Sequence, residues 1–376
     1  MSSCLRFWSV WFVIVTWSFA CLTFTPTPCT VSNQFMTGFC MAADKCPAYQ
    51  QLKQAMANNE IDPSFISSIN CSRSDTAYFV CCPLNSNYLV PNAGMVDLSK
   101  LKQQCGLALS DVRIIGGQKT EIDEFPWLAL MFYESDESDE LVPKCGGALI
   151  SEWWVLTAAH CITGRDSGKL KMIRFGEHDL DTEKDCNRHE CADPVVDIGV
   201  QTTIAHPNYV RTSWSKANDL ALVKLMRNVS FTDFVRPICL PSYFNDPESK
   251  LGIAVELVAS GWGYTDYYET DTIVSSRVKL KVALPQIQLS QCQSIYGEYQ
   301  VPISEKQICA GGQKAQDTCR GDSGSPLMFY DAGRGRWFAY GIVSRGPSHC
   351  GTEGIPSVYT NLFQYGDWIR RTMANN

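Results

Sequence analysis

Three things are scarce in this chain: an excess of positive charge, long apolar runs and histidine. Lys and Arg number 32 against 39 Asp and Glu, leaving a net charge of −7 and a pI near 5.3. A chain of that balance has no basic stripe from which to release counterions at a phosphate backbone, so nucleic acid is excluded as a partner. The apolar run at residues 7–19 has 13 residues, whereas a spanning helix needs roughly 20. No other segment is long and apolar enough, so no membrane span is expected. Only five histidines are present, so any imidazole chemistry must draw on His160, His178, His189, His206 or His349.

What is present begins with a targeting pattern. Arg6 precedes the apolar run, and Ser18-Phe19-Ala20 puts small residues at the two positions a signal peptidase reads. Residues 1–23 are read as a secretion signal, with the mature chain starting between Cys21 and Thr27. Of 18 cysteines, Cys4 and Cys21 go with that signal, and the remaining even set reads as disulfides of an oxidising compartment. Six lie within residues 29–82, Cys105 stands alone, and nine are scattered from Cys145 to Cys350. This break divides the chain into a small disulfide-built module at 29–82, a linker at 83–113 and a large domain at 114–376. The large domain holds short β-rich runs, among them GALI (147–150), WWVL (153–156) and YGIV (340–343), separated by Gly, Pro and Asp turns. Helical periodicity is sustained mainly at residues 365–373. The expected fold is mostly β, a barrel domain closed by a C-terminal helix and preceded by the disulfide-rich module.

Hydrolysis through a serine needs an imidazole to take the hydroxyl proton, a buried carboxylate to hold that imidazole, and amide donors for the oxyanion. His160 lies in LTAAHC (156–161), at the end of an apolar run and beside a cysteine able to pin it, whereas the other histidines occupy polar, turn-like segments. Alone, such a histidine is more often a packed core residue. Asp219 opens the apolar run DLALVKL (219–225), where burial is costly for an unpaired carboxylate. An aspartate of an N-terminal turn is the bland alternative. Ser323 lies in GDSGSP (321–326), between glycines that allow a tight turn and close backbone approach. The tripeptide Arg320-Gly321-Asp322 also reads as a cell-adhesion ligand.

On the motifs IIGG (114–117), TAAHC (157–161), DLAL (219–222), GWG (261–263) and GDSGSP (321–326), residues 114–376 resemble the chymotrypsin-fold serine proteases. The resemblance implies a double β-barrel with His160 as general base, Asp219 orienting it, Ser323 as nucleophile, and the amides of Gly321 and Ser323 as oxyanion hole. It implies that Asp317, six residues before the nucleophile, floors the pocket for Arg or Lys, with Ser344, Gly346 and Ser357 around it. Two residues depart from the family pattern: Arg345 stands where an aromatic is usual, and Ser357 where glycine is usual. The added bulk of Ser357 is expected to favour Arg over Lys. The resemblance further implies a zymogen cut between Arg113 and Ile114, after which Asp322 pairs with the new amino terminus and is lost to any adhesion receptor.

Family bridges correspond to Cys105–Cys239, Cys145–Cys161, Cys292–Cys309 and Cys319–Cys350, while Cys186–Cys191 is read as a local disulfide rather than a zinc site. No cofactor is expected for catalysis. Glu177 and Asp179 belong to a loop that binds calcium in some family members, which makes them candidate ligands of a structural calcium. Of two glycosylation sequons, Asn228-Val229-Ser230 is favoured over Asn70-Cys71-Ser72, whose middle residue is a framework cysteine.

Six cysteines with 10, 5, 24 and 9 residues between them, ending in adjacent Cys81 and Cys82, resemble the clip domain of arthropod serine proteases. The family pattern implies Cys29–Cys81, Cys40–Cys71 and Cys46–Cys82, a pairing that spacing alone leaves open. Clip proteases act in haemolymph cascades, and this chain looks most like the prophenoloxidase-activating group. The partners so implied are an upstream trypsin-like activating protease, a protein substrate (prophenoloxidase or another zymogen), a serpin inhibitor and a clip-domain cofactor. A protease processing a Toll-pathway ligand is the alternative. A scaffold-type homologue is disfavoured because His160, Asp219 and Ser323 are all present.

Overall fold

The apolar runs of the sequence become strands of three sheets. The computed structural model describes residues 28–31, 36–43, 70–73, 78–83, 98–108, 118–135, 140–164, 168–188, 190–244, 256–265 and 275–376. It falls into two compact units, Met1–Met95 and Val96–Asn376. The first unit holds four antiparallel strands, β1 (Pro28–Val31), β2 (Met36–Ala42), β3 (Asn70–Arg73) and β4 (Tyr78–Pro83), in the order β1-β2-β4-β3. The side chains of the expected bridges Cys29–Cys81, Cys40–Cys71 and Cys46–Cys82 lie outside the described residues. So do Arg113 and Ile114.

The second unit is a pair of barrels. Strands β6 (Leu128–Glu134), β7 (Leu141–Ser151), β8 (Trp154–Thr157), β9 (Leu170–Phe175), β10 (Val196–Ala205) and β11 (Ala221–Leu225) close in the order β10-β11-β8-β7-β6-β9. Strands β12 (Glu256–Gly261), β13 (Leu280–Ile287), β14 (Gln307–Gly311), β15 (Pro326–Asp331), β16 (Arg336–Arg345) and β17 (Pro356–Asn361) form the other, closed by pairing of β12 with β13. The short strand β5 (Gln118–Lys119) flanks β13. Continuous rather than alternating apolar runs mark strands buried on both faces: six successive residues of β6 and all four of β8 are buried.

An aromatic seam joins the barrels. Phe125 and Trp127 precede β6, and Trp337 lies on β16; the Phe125 ring is 5.1 Å from Trp337 and 5.9 Å from Trp127. The Trp127 indole Nε1 donates to Met328 Sδ on β15 at 2.9 Å. Such ring pairs add roughly 0.5–1.5 kcal/mol each to the gain from burial.

Two helices depart from the expectation of helix mainly at the C-terminus. Beside α1 (Leu98–Gln104), α2 (Ala159–Thr163), α3 (Pro241–Phe244) and the terminal α5 (Gly366–Asn375), there is α4 (Leu289–Gly297), whose Cys292 and Tyr296 are buried at a four-residue spacing. Helix α1 falls in the segment read as linker, and two buried positions, Leu101 and Cys105, are too few to register as periodicity. It is docked by its C-terminal turn: Gly106 N donates to Pro237 O (2.8 Å), Trp337 N to Gly106 O (2.9 Å), and Arg336 to the carbonyls of Cys105 and Gln103. Gly106 has φ +67°, and any Cβ there would run into the Trp337 carbonyl. Among the described residues, no helix is long and apolar enough to cross a membrane.

The seam sets the first expectation. Trp127→Ala empties a wholly buried indole site and is expected to lower unfolding free energy by about 3–5 kcal/mol, read by guanidinium unfolding followed by circular dichroism.

Candidate active site

Burial of β8 and β11 brings His160 and Asp219 together. His160 sits on α2, one residue beyond the buried Ala159, and Asp219 lies two residues before the apolar β11. The His160 backbone N donates to Asp219 Oδ1 at 2.9 Å, and its ring Nδ1 lies 2.8 Å from Asp219 Oδ2. With the carboxylate accepting at Nδ1, the neutral ring leaves Nε2 as the basic nitrogen. Asp219 is 0 % exposed. Its burial is tolerated because donors surround it: Ser344 Oγ gives a 2.6 Å bond to Oδ2, and Thr360 Oγ1 a 2.7 Å bond to the Asp219 carbonyl. Ser344, expected around the substrate pocket, therefore also braces the carboxylate. Thr360 carried no signal in the sequence at all.

Ser323 follows Gly321 (φ +98°) and precedes Gly324 (φ +81°), left-handed conformations that favour glycine. Its carbonyl accepts from Gly146 N at 2.8 Å. Cys161 Sγ stands 3.8 Å from His160 Nε2 and 3.6 Å from the Ser323 carbonyl, so one sulfur touches both residues. Among the described residues, Ser323 Oγ and His160 Nε2 are not joined by a hydrogen bond, a contact that commonly tightens only when substrate is bound. Donor atoms of Cys145, His160 and Cys161 lie within 4.8 Å of one another. That grouping is no metal centre, because Cys145 and Cys161 are bonded to each other.

Asp317 lies in the same region. Its Oδ1 accepts from Thr318 N at 2.8 Å and its Oδ2 from Gly351 N at 3.2 Å, and burial pushes the carboxyl up, opposed by Ser357 and those two amides. Ser357 is 1 % exposed, and its Oγ lies near enough to act on Asp317 without reaching a hydrogen bond among the described residues. A Cβ built on Gly346 would stand 2.6 Å from Ser357 Oγ and 4.0 Å from Asp317 Oδ2. Gly346, Ser357 and Asp317 thus share one narrow space, bordered by the Cys319–Cys350 disulfide.

Asp322 points the other way. Its Oδ1 accepts from Gly263 N (2.9 Å) and its Oδ2 from Cys319 N (3.0 Å), and burial pushes the carboxyl up to about 6. Any Cβ on Gly261 or Gly263 would strike this carboxylate, which gives the GWG motif its physical reason. The acid of the Arg-Gly-Asp tripeptide is therefore committed to the interior, and the adhesion reading fails on geometry.

The remaining candidates are placed as follows. Bonds join Cys105 to Cys239, Cys186 to Cys191, and Cys292 to Cys309. Asn228 is exposed just beyond β11. Glu177 is bonded by Arg174 at 3.3 Å, and Asp179 lies 3.8 Å from the Arg277 guanidinium. The buried Lys279 adds charge beside Glu177 and Asp185, and its burial pushes the ammonium down to about 8. Burial and the neighbouring Asp185 charge push the Glu177 carboxyl up even so, which leaves these acids incompletely neutralised by the protein's own cations.

A double barrel carrying a buried carboxylate, an imidazole and a serine between glycines defines a serine protease of the chymotrypsin fold. The trypsin family model matches residues 114–369, and that of the regulatory CLIP domain of proteinases matches residues 29–82. The chain belongs to the CLIP-domain serine proteases of the trypsin family. It is 40 % identical over 363 residues to CLIP domain-containing serine protease B8 of Anopheles gambiae, covering 91 % of this chain and 89 % of that one. It is 36 % identical to phenoloxidase-activating factor 3 of Holotrichia diomphalia, covering 93 % and 94 %. The crystal structure of the Drosophila Grass clip serine protease of the Toll pathway superposes with a TM-score of 0.64 at 31 % identity, covering 93 % of this chain and 98 % of that one.

The Ser344 bond makes a further expectation. Ser344→Ala removes a donor to a charged, buried acceptor, a loss of about 1.5–3 kcal/mol, so kcat on an Arg amide is expected to fall at least tenfold with KM changed less.

Proposed function

We propose that this chain is a secreted zymogen, cut at Arg113–Ile114, whose active form cleaves proteins after Arg in preference to Lys within the haemolymph cascade that activates prophenoloxidase. The observation that carries the reading is the His160–Asp219 bond at 2.8 Å with Asp219 fully buried and Ser323 packed against the same disulfide sulfur.

In this mechanism the substrate's Arg enters beside Asp317 and pairs with its carboxylate. Ser323 Oγ attacks the carbonyl carbon as its proton passes to His160 Nε2, and Asp219 stabilises the imidazolium. The developing oxyanion takes hydrogen bonds from the amides of Gly321 and Ser323, a contribution whose loss costs roughly 10²–10³ in rate. His160 then protonates the leaving amine, the peptide bond breaks, and water repeats the sequence on the acyl-enzyme. Ser357 fills space beside Asp317 and supplies a hydroxyl oxygen, which suits the several donors of a guanidinium better than a compact ammonium.

The relatives support the cascade assignment: one is named a phenoloxidase-activating factor and shares similarity along nearly its whole length. The likeness to a Toll-pathway clip protease favours processing of a Toll ligand as the second reading. The test is to cleave the secreted chain after Arg113 and follow Arg, Lys and Phe amides beside Ser323→Ala. Hydrolysis of Arg amides only after the cut, absent in Ser323→Ala, is expected, with prophenoloxidase converted and a Toll-ligand precursor left intact. The reverse pattern on the two protein substrates would establish the second reading.

Asp322 supplies the switch. In the uncut chain its carboxyl is raised to about 6, so ionisation above that pH leaves a desolvated charge without a cationic partner among the described residues. A new α-ammonium would hold it ionised, a stabilisation present above the lowered pKa and lost as pH falls through it. The Tm of cut over uncut chain is expected to be largest near pH 7, while the amine, with a pKa of about 8, is still protonated. The gap is expected to shrink below about pH 6 and to vanish in Asp322→Asn, as measured by differential scanning calorimetry.

A further inference from the structure

One rim of the cleft carries positive charge with nothing to offset it. The stretch Ser344-Arg345-Gly346 runs from the triad carboxylate, through Ser344 Oγ, to the Asp317 pocket, beside Gly346. Between them, Arg345 ends β16 just after a bulge in its pairing with β17. Its Nη1 donates to Trp214 O at 2.6 Å, and its guanidinium carbon lies 5.4 Å from the centre of the Tyr296 ring. Trp214 is 78 % exposed and belongs to the segment 206–220 between β10 and β11. Gln307 Nε2 fastens that segment through Ser215 O at 2.7 Å. Lys216, two residues on from Trp214, directs its ammonium to the Arg211 carbonyl. Among the described residues, no carboxylate lies within ion-pair distance of Arg345, Lys216 or Arg211. In a chain of net charge −7, three cations left unmatched beside the site call for an acidic partner from outside.

The backbone shows where that partner comes from. Strand β15 starts at Pro326, opposite Ile342, so among the described residues β16 has no strand partner on that side at Ser344 and Arg345, although Arg345 pairs with Val358 of β17 on the other. A peptide whose Arg occupies the Asp317 pocket has this free edge to pair with, and its preceding residues then pass Arg345. The guanidinium has five N–H donors. One is spent on Trp214 O, which together with the Tyr296 ring holds the fork in place with its other donors in hand.

We propose that Arg345, with Lys216 beside it, forms a carboxylate-binding subsite that selects Asp or Glu a short distance before the scissile bond. The proposal rests on the protease reading above. The test uses the full chain cut after Arg113 and peptide Arg amides that differ only by Glu, Gln or Lys at the second, third or fourth residue before the scissile bond. At one of these positions kcat/KM for Glu is expected to exceed that for Gln by about tenfold at low salt, with Lys poorest, and the advantage is expected to shrink as ionic strength rises. Arg345→Gln is expected to bring the Glu-to-Gln ratio close to one. Should that variant fail to fold, Arg345→Lys, which keeps the charge and loses the fork, is expected to give an intermediate ratio. Equal rates for Glu and Gln peptides in the wild type, or a ratio that either variant leaves unchanged, overturns the subsite. Cleavage without Glu preference sinks the subsite alone, whereas failure of the verified cut chain to cleave any Arg amide sinks the protease reading with it.

Discussion

The buried carboxylate of Asp219 is the constraint around which the protease unit is organised. Its donors come from both barrels: His160 from the first and Ser344 from the second, with Thr360 of the second holding the Asp219 backbone carbonyl. A carboxylate deprived of its partners in such a place costs several kcal/mol, so any slip of one barrel against the other is opposed at the point where chemistry needs precision. The aromatic seam of Phe125, Trp127 and Trp337 supplies the apolar part of the same fit. Fold stability and triad geometry are thus two consequences of one arrangement.

The other buried acids divide by what neutralises them. Glu124 is held by Lys281 at 2.6 Å, and Glu177 by Arg174, although burial and the neighbouring Asp185 still push the Glu177 carboxyl up. Asp317 and Asp322 have amide donors and no ion-pair partner among the described residues, and both carboxyls are pushed up by burial. An acid left in that condition is poised for a cation from elsewhere. Under the proposed function the two take different ones, a substrate side chain at Asp317 and a chain terminus at Asp322.

Much of the site was legible in the sequence because its parts are rare. With five histidines, one after an apolar strand and beside a cysteine, His160 could be found by elimination, and the glycines around Ser323 mark a turn that other residues fit poorly. The Ser344 and Thr360 bonds to Asp219 were illegible, since serines and threonines are common and these contacts span 125 and 141 positions. The reach of Arg345 to Trp214, across 131 positions, was hidden for the same reason. The cationic neighbours of Glu177 and Asp179 were hidden in part, because acidic residues are visible in a local stretch while Arg277, far along the chain, is not. Docking of α1 escaped notice because backbone carbonyls and one glycine do most of it.

The Cys105–Cys239 bond spans 134 positions, and the chain between its ends includes Arg113. A break at Arg113 opens that covalent ring without parting the pieces, so the clip unit stays leashed to the enzyme it preceded. Whatever the clip unit binds, the catalytic unit is then confined to the leash's length from it, and its local concentration there is fixed by tether geometry rather than by how much protein circulates. Reduction of that one bond, after such a break, would leave no covalent link among the described residues and would remove the tether that sets that local concentration.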